Sequence, residues 1–173
     1  MKYRLVLSCS ALLAMSALAA STPTPPNLHA QMKNVVAVQA QVIWDIGNKA
    51  LGDDGNPVAS KLTAADWNQL VVAGGKVKES AQTLASAQHV MAAAPGQKLQ
   101  DEENPGASDA KTVQRLLDSN PKAFSAFAAA MASNMDGLVA AARARDLTKV
   151  NDLSGTLDQI CEQCHKQFWY PNQ

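Results

Sequence analysis

The sequence predicts an all-α protein, an antiparallel up-down-up-down four-helix bundle, on three observations. Apolar residues recur at intervals of three and four in four separate segments, which is the period of a helix that buries one face. No segment alternates apolar and polar residues as a half-buried strand does. Alanine is abundant, which favours closely packed helices over sheet. Four amphipathic helices joined by mostly short turns fold most simply in up-down-up-down order.

The first two predicted helices have recognisable ends. Apolar positions over residues 28–46 define the first helix, and Gly47 follows them. The second helix begins at Thr63, which with Asp66 forms a predicted capping box, and it continues until Pro95. Its apolar side includes Trp67, Leu70, Val71, Val77, Ala81, Leu84 and Met91.

The second half of the chain carries the other two predicted helices. A polar stretch over residues 97–120 predicts an irregular connection, with a short helix possible over 110–117. The third helix opens near Pro121 and the fourth runs from Leu147 past Cys164, both with an apolar side. We find neither an internal repeat nor a second domain.

The N-terminal residues predict export. Lys2 and Arg4 precede an apolar run that closes with a small-x-small cleavage signature ending at Ala19, so residues 1–19 are predicted to be a signal peptide. Residues 20–27 form a Pro-rich leader, and residues 28–173 form the bundle, which we expect in the periplasm. A lipoprotein acylated at Cys9 is the alternative, but the apolar run before Cys9 is short.

The net charge of the chain argues against nucleic acid as a partner. Loss of Lys2 and Arg4 with the signal peptide takes the 15 basic residues to 13, against 15 acidic ones. A slightly acidic chain has no surface basic enough for nucleic acid.

The main functional motif is Cys161-Glu162-Gln163-Cys164-His165, a C-x-x-C-H run near the C-terminus. This spacing is typical of covalent haem attachment. On a helix the three reactive side chains project over one surface. Cys161 and Cys164 can then form thioethers to one porphyrin while His165 becomes the proximal iron ligand, which predicts one covalently attached haem c.

The motif has three other interpretations. A redox dithiol pair belongs at the start of a helix after a strand, a setting this sequence lacks. A zinc site needs about four ligands, and beyond the motif only His29 and His89 remain as candidates. A disulfide between Cys161 and Cys164 would close a very small loop and strain a helix.

A C-x-x-C-H motif on the last helix of a four-helix bundle resembles the class II c-type cytochromes, that is, the cytochrome c′ family and its low-spin relatives. The resemblance implies that Cys161 and Cys164 carry the haem and that His165 is the fifth iron ligand. The family pattern continues with an aromatic and then a basic residue. Phe168 takes the aromatic place, but Trp169 stands where the basic residue is expected.

The resemblance places the first helix against the opposite face of the haem, where Met32 is the candidate distal ligand. Its distance to Gly47 resembles the family's spacing between the residue facing the iron and the end of that helix. Low-spin relatives carry methionine there, and true cytochromes c′ carry a non-coordinating apolar or aromatic residue. Met32 as a packing residue is the alternative. His29 is either a rival ligand on the same face or a solvated residue near the helix start.

Together these observations predict a periplasmic mono-haem c-type cytochrome that passes single electrons between periplasmic or membrane-bound redox proteins. The alternative is a five-coordinate, cytochrome c′-like haem protein that binds NO or CO. We do not expect an enzyme, because the sequence has no Ser/His/Asp arrangement, phosphate-binding loop or paired acids at a defined spacing. A homodimer is left open.

Overall fold

The computed structural model describes residues 24–170, and in that range the chain is all-α, as predicted, with five longer helices, a short 3-10 helix (Ala59–Lys61) and no strand. Helix α1 consists of three consecutive segments, α-helical Leu28–Gln31, π-helical Met32–Val36 and α-helical Ala37–Lys49. Four further helices follow: α2 (Ala64–Ser86), α3 (Ala110–Ser119), α4 (Pro121–Ala144) and α5 (Leu147–Phe168). The predicted signal peptide, with Cys9, lies outside the described residues.

The predicted capping box at the start of α2 is confirmed. The Asp66 N–H donates to Thr63 Oγ1 (3.3 Å), and the Thr63 N–H donates to Asp66 Oδ2 (2.6 Å). Lys49, the last residue of α1, donates to both carboxylate oxygens of Asp66 (2.8 and 2.7 Å). These bonds from Lys49 and Thr63 lower the pKa of Asp66 to about 2. One carboxylate thus joins the end of α1 to the start of α2.

Helix α2 is shorter than the sequence predicts, since it ends at Ser86 rather than near Pro95. The backbone beyond it pairs with the start of α1, where the N–H groups of Leu28 and His29 donate to the carbonyls of residues 91 and 92 (2.7 and 3.0 Å). Because that backbone is extended alongside α1, it cannot continue the helix. Met91 is therefore a loop residue and not part of the predicted helix.

The connection over residues 87–109, here called the cover segment, is tied to three helices. Its first part pairs with α1 as described. Gln114 of α3 accepts from the Ala92 N–H (2.8 Å) and donates to the Val90 carbonyl (3.0 Å). The Ser108 N–H donates to the carbonyl of Trp169, directly after α5 (2.9 Å). The short helix that the sequence allowed over 110–117 is present as α3.

The helices enclose two apolar clusters. Helix α2 packs along α4, α4 along α5, and α1 along α2, whereas α1 and α5 share only a small contact. The central core joins these four helices, with Ile43, Leu70, Val77, Met135, Leu138 and Leu157 among its most buried members. The end core lies under the cover segment and contains Leu84, Val90, Ala92, Val113, Leu117, Phe124, Ala128 and Phe168.

Candidate haem site

The C-x-x-C-H motif lies in the last two turns of α5, where the two cores meet. Cys161, Cys164 and His165 are all partly buried, and both cysteines are free thiols. Cys161 packs against the central core and Cys164 against the end core. The motif therefore lies at the boundary between the two clusters and not on an open surface.

The two thiols have the electrostatics of buried cysteines. Burial raises the pKa of Cys161 to about 11, and the nearby Asp158 carboxylate adds to the shift. Burial raises the pKa of Cys164 to about 12, with Cys161 contributing. A reactive redox dithiol needs the opposite, a lowered thiol pKa. The geometry and charge of this pair thus argue against the dithiol interpretation.

The His165 imidazole is available as a ligand. Burial lowers its pKa, so the ring is neutral at physiological pH and keeps a lone pair. Within residues 24–170 the ring forms no hydrogen bond. Its closest aromatic neighbour is Trp169, which meets it edge-on at a centroid distance of 5.1 Å and an interplanar angle of 88°. Trp169 thus occupies space beside the candidate proximal ligand.

Met32 lies at the start of the π-helical segment of α1. The Ala37 N–H donates to the Met32 carbonyl, which is the five-residue hydrogen bond of a π turn. The Met32 side chain is partly buried and packs against both the central core and the end core. The structure therefore brings Met32 to the same boundary as Cys161 and Cys164.

Helices α1 and α5 run antiparallel, so the position of Met32 along α1 can be compared with that of His165 along α5. Leu28 and Met32 share the end core with Cys164 and Phe168, whereas the C-terminal half of α1 faces the start of α5. At that far end, a Cβ on Gly47 would lie 3.8 Å from Asn151 Oδ1.

Counting residues from this contact places the two candidate ligands at the same height along the paired helices. The stretch of α1 from Met32 to Gly47 is nearly the same length as the stretch of α5 from Asn151 to His165. At a rise of about 1.5 Å per residue these stretches are each roughly 20 Å long. Met32 and His165 are therefore level to within a helical turn.

Helices α1 and α5 leave an open space between them. A cavity of about 440 Å³ lies between them, lined from α1 by Ile43, Trp44, Gly47 and Asn48 and from α5 by Asn151, Ser154, Gly155 and Asp158. Asp158 is one turn before Cys161 on the same face of α5. The cavity thus lies between the same two helices that present Met32 and the motif.

His29 differs from what the sequence suggests. The sequence makes it either a rival of Met32 as a ligand or a solvated residue, and the solvated alternative is wrong. Both ring nitrogens are buried and have no hydrogen-bond partner among residues 24–170. The indole nitrogen of Trp169 is also buried without a partner. No local signal predicts this burial, because it results from the long-range pairing of α1 with the cover segment.

The remaining methionines and aromatic residues are mostly structural. Met131 and Met135 are buried in the central core, and Trp67 is buried there too. Phe168 fills the end core, where it meets Phe124 edge-on at a centroid distance of 5.7 Å. Trp44 is partly buried, packs against the central core and also lines the cavity.

The donor set suits one porphyrin and its iron better than it suits a zinc ion. Two free thiols, an imidazole without a hydrogen-bond partner and a thioether approach one boundary from two helices. Within the described part of the chain, no group of three or more His, Cys, Asp or Glu side chains has an arrangement that would hold a metal ion. The same residues include no helix that is long and apolar enough to cross a bilayer.

Comparison with known proteins identifies the family. The family model described as cytochrome c′ matches residues 69–169, which is more than half of the chain and includes the C-x-x-C-H motif. The match starts inside α2, so α1 and Met32 lie outside it. No curated protein and no solved structure matches the chain significantly. Proteins of the matching family bind one covalently attached haem c and are typically periplasmic. This chain therefore belongs to the cytochrome c′ family of c-type cytochromes.

Proposed function

We propose that this chain is a periplasmic mono-haem cytochrome that transfers single electrons and transforms no substrate. Cys161 and Cys164 hold the haem through thioethers, His165 is the proximal iron ligand and Met32 is the distal ligand. The observation that carries the proposal is the meeting of Met32, Cys161 and Cys164 where the central core joins the end core, with His165 on the same helix as the cysteines.

The haem, when bound, supplies an iron that changes between two oxidation states. The side chains around it are suited to hold its ligands still during that change. His165 is confined by Trp169 at its edge, and Met32 is fixed by a helix that packs on both cores. A thioether ligand also raises the reduction potential. Ligands that stay in place favour rapid electron transfer because little has to reorganise.

We further propose that α1, α2, α4 and α5 form the predicted antiparallel four-helix bundle. The pairing of α1 with α2, α2 with α4 and α4 with α5, together with the smaller contact between α5 and α1, supports this arrangement. Residues 1–19 would direct export and be removed. Periplasmic or membrane-bound redox proteins would be the partners, with a homodimer left open.

The decisive experiment is an absorption spectrum of the haem-loaded protein, oxidised and reduced, with and without carbon monoxide. Methionine ligation predicts a low-spin, six-coordinate ferric iron with a weak far-red sulfur-to-iron band. A high-spin, five-coordinate iron that takes up carbon monoxide readily would instead establish the gas-binding alternative and refute the electron carrier.

The attachment is tested on the same preparation after denaturation. The wild-type chain should keep one haem, by mass and by a pyridine haemochrome spectrum. Cys161→Ser combined with Cys164→Ser should release it. Cys9→Ser is the matched control and should leave the haem bound, because Cys9 belongs to the predicted signal peptide. Haem that remains covalently bound to the double variant would contradict the proposed attachment.

A further inference from the structure

We propose that His29 and Trp169 together bind a propionate carboxylate of the haem and so form an anchor at the edge of the porphyrin away from the thioethers. The inference rests on the attachment through Cys161 and Cys164 proposed above. It is independent of whether Met32 binds the iron.

The first observation is a pair of buried groups that lack partners. Both His29 ring nitrogens and the Trp169 indole nitrogen are buried, and none has a hydrogen-bond partner within residues 24–170. Buried polar atoms are nearly always hydrogen-bonded, because losing water without a replacement is costly. Such atoms therefore point to an acceptor that the protein chain itself does not supply.

The second observation is that the chain neighbours of these two residues pack at the same end of the α1–α5 pair. Leu28, adjacent to His29, and Phe168, adjacent to Trp169, both pack in the end core. The stretch from His29 to Gly47 contains as many residues as the stretch from Asn151 to Trp169. Since α1 and α5 are antiparallel and meet at Gly47 and Asn151, the two side chains are level with each other.

The chemistry of the two side chains indicates which kind of hydrogen-bond acceptor is missing. An indole N–H only donates, so Trp169 cannot bind a metal and needs an acceptor atom. An imidazole always carries at least one N–H and can donate to the same acceptor. A carboxylate has two oxygens with room for several donors and forms stronger hydrogen bonds than a neutral acceptor. One carboxylate can thus accept from the Trp169 indole N–H and from an imidazole N–H of His29.

The motif indicates which carboxylate this is. In haem c the two thioethers and the two propionates lie at opposite edges of the macrocycle, with the iron between them. Along α5, Cys161 precedes His165 by one turn and Trp169 follows it by one turn. With thioethers at Cys161 and Cys164, the opposite edge of the haem would be directed toward Trp169, at the level of His29.

The backbone around both side chains is held in place, as an anchor requires. The His29 N–H donates to the Ala92 carbonyl (3.0 Å), and the Trp169 carbonyl accepts from the Ser108 N–H (2.9 Å). The Trp169 N–H also donates to the His165 carbonyl (2.8 Å). The cover segment thus positions both donors, one at each of its ends.

The test compares four variants of the haem-loaded protein by resonance Raman spectroscopy. His29→Phe and Trp169→Phe each remove the ring nitrogens and keep an aromatic ring. His89→Phe and Trp44→Phe are matched controls, because His89 is exposed beside Asp118 and Trp44 lies about four turns after His29 along α1. The propionate bending band should shift in the first two variants and stay unchanged in the controls. The reduction potential should fall in the first two, because a less compensated carboxylate favours ferric iron.

Three results would overturn the anchor. They are an unchanged propionate band in His29→Phe and Trp169→Phe, a shift in only one of them, or a change of iron spin state in His29→Phe, which would make His29 an iron ligand. A five-coordinate iron in the wild-type protein would refute Met32 ligation. The propionate bands of the four variants could still be compared.

One measurement needs no substitution and so is independent of any folding defect. In the reduced wild-type protein, the Trp169 indole proton should give a nuclear Overhauser contact to propionate methylene protons. Absence of that contact from an assigned spectrum counts against the anchor.

Discussion

Met32 shows how one side chain separates two functions within one family. The cytochrome c′ match covers residues 69–169 and says nothing about this position. The structure places Met32 against both cores, close to the level of His165. A methionine in such a place either packs or binds the iron. Replacing its sulfur by carbon should change the iron's spectrum only if the methionine is a ligand.

Met32→Leu is the variant that separates the two roles, because leucine keeps nearly the same volume and cannot bind iron. If Met32 is the distal ligand, the variant should lose the sulfur-to-iron band, become high-spin and have a lower reduction potential. Met91→Leu is the matched control, since Met91 is also partly buried but lies in the cover segment. Identical spectra for Met32→Leu and wild type would show that Met32 only packs.

At the scale of single elements, α2 and α4 form the most extensive helix pair, and Gly74 lies in their interface. A Cβ on Gly74 would lie 3.0 Å from Val139 Cγ2 and 3.2 Å from Leu138 Cδ2. The next residue, Gly75, has nothing within 4 Å of such a Cβ. Adjacent glycines on one helix therefore differ in function, since only one allows close approach of the helices.

Alanine substitutions of these two glycines should have opposite effects on the free energy of unfolding. Gly75→Ala should stabilise the protein by about 0.5–1 kcal/mol, because glycine is a poor helix former. Gly74→Ala should destabilise it by about 1 kcal/mol, since overpacking typically costs about 1–3 kcal/mol and exceeds the helix gain. Urea denaturation of the haem-loaded proteins measures both. Stabilisation by both substitutions would show that the α2–α4 interface accommodates the added methyl group of alanine at position 74.

The sequence predicts the end of a helix correctly only where residues next to that end determine it. The Thr63 capping box and the Pro121 start are encoded by neighbouring residues, and both are confirmed. The sequence places the end of α2 later than Ser86, where the helix ends, because the next residues pair with the start of α1. A backbone partner remote in sequence leaves no periodic pattern.

The same distinction applies to the site. Cys161, Cys164 and His165 form a motif whose spacing is read directly from the chain, and their common helix follows from it. The burial of His29 and Trp169 depends on how the cover segment closes over two helices. No sequence window contains that information.

On the scale of the whole molecule, the contact between α1 and α5 is the smallest of those that link neighbouring long helices. These helices make only a small contact, and a cavity of about 440 Å³ separates part of their length. Haem bound between them would replace missing protein contacts with its own apolar surface. The stability of α1 should therefore depend on the cofactor more than that of α4 does.

Hydrogen exchange on the chain made without haem attachment tests this dependence. Amides of α1 should exchange faster than those of α4, whose sides are covered by α2 and α5. Haem attachment should slow exchange in α1 far more than in α4. Equal protection of both helices in the haem-free chain would mean that α1 is held by α2 and the cover segment alone.

The π turn over residues 32–36 holds one residue more than a regular helical turn of the same height would. Deleting one residue there would restore a regular helix and swing everything before it by about 100° around the helix axis. His29 and Met32 would then face different neighbours, while the rest of α1 kept its packing. A relative that lacked this turn but kept the packing of the rest of α1 would turn the residue matching Met32 toward other neighbours. An alignment of relatives through α1 therefore needs a gap at this turn before their distal residues can be compared.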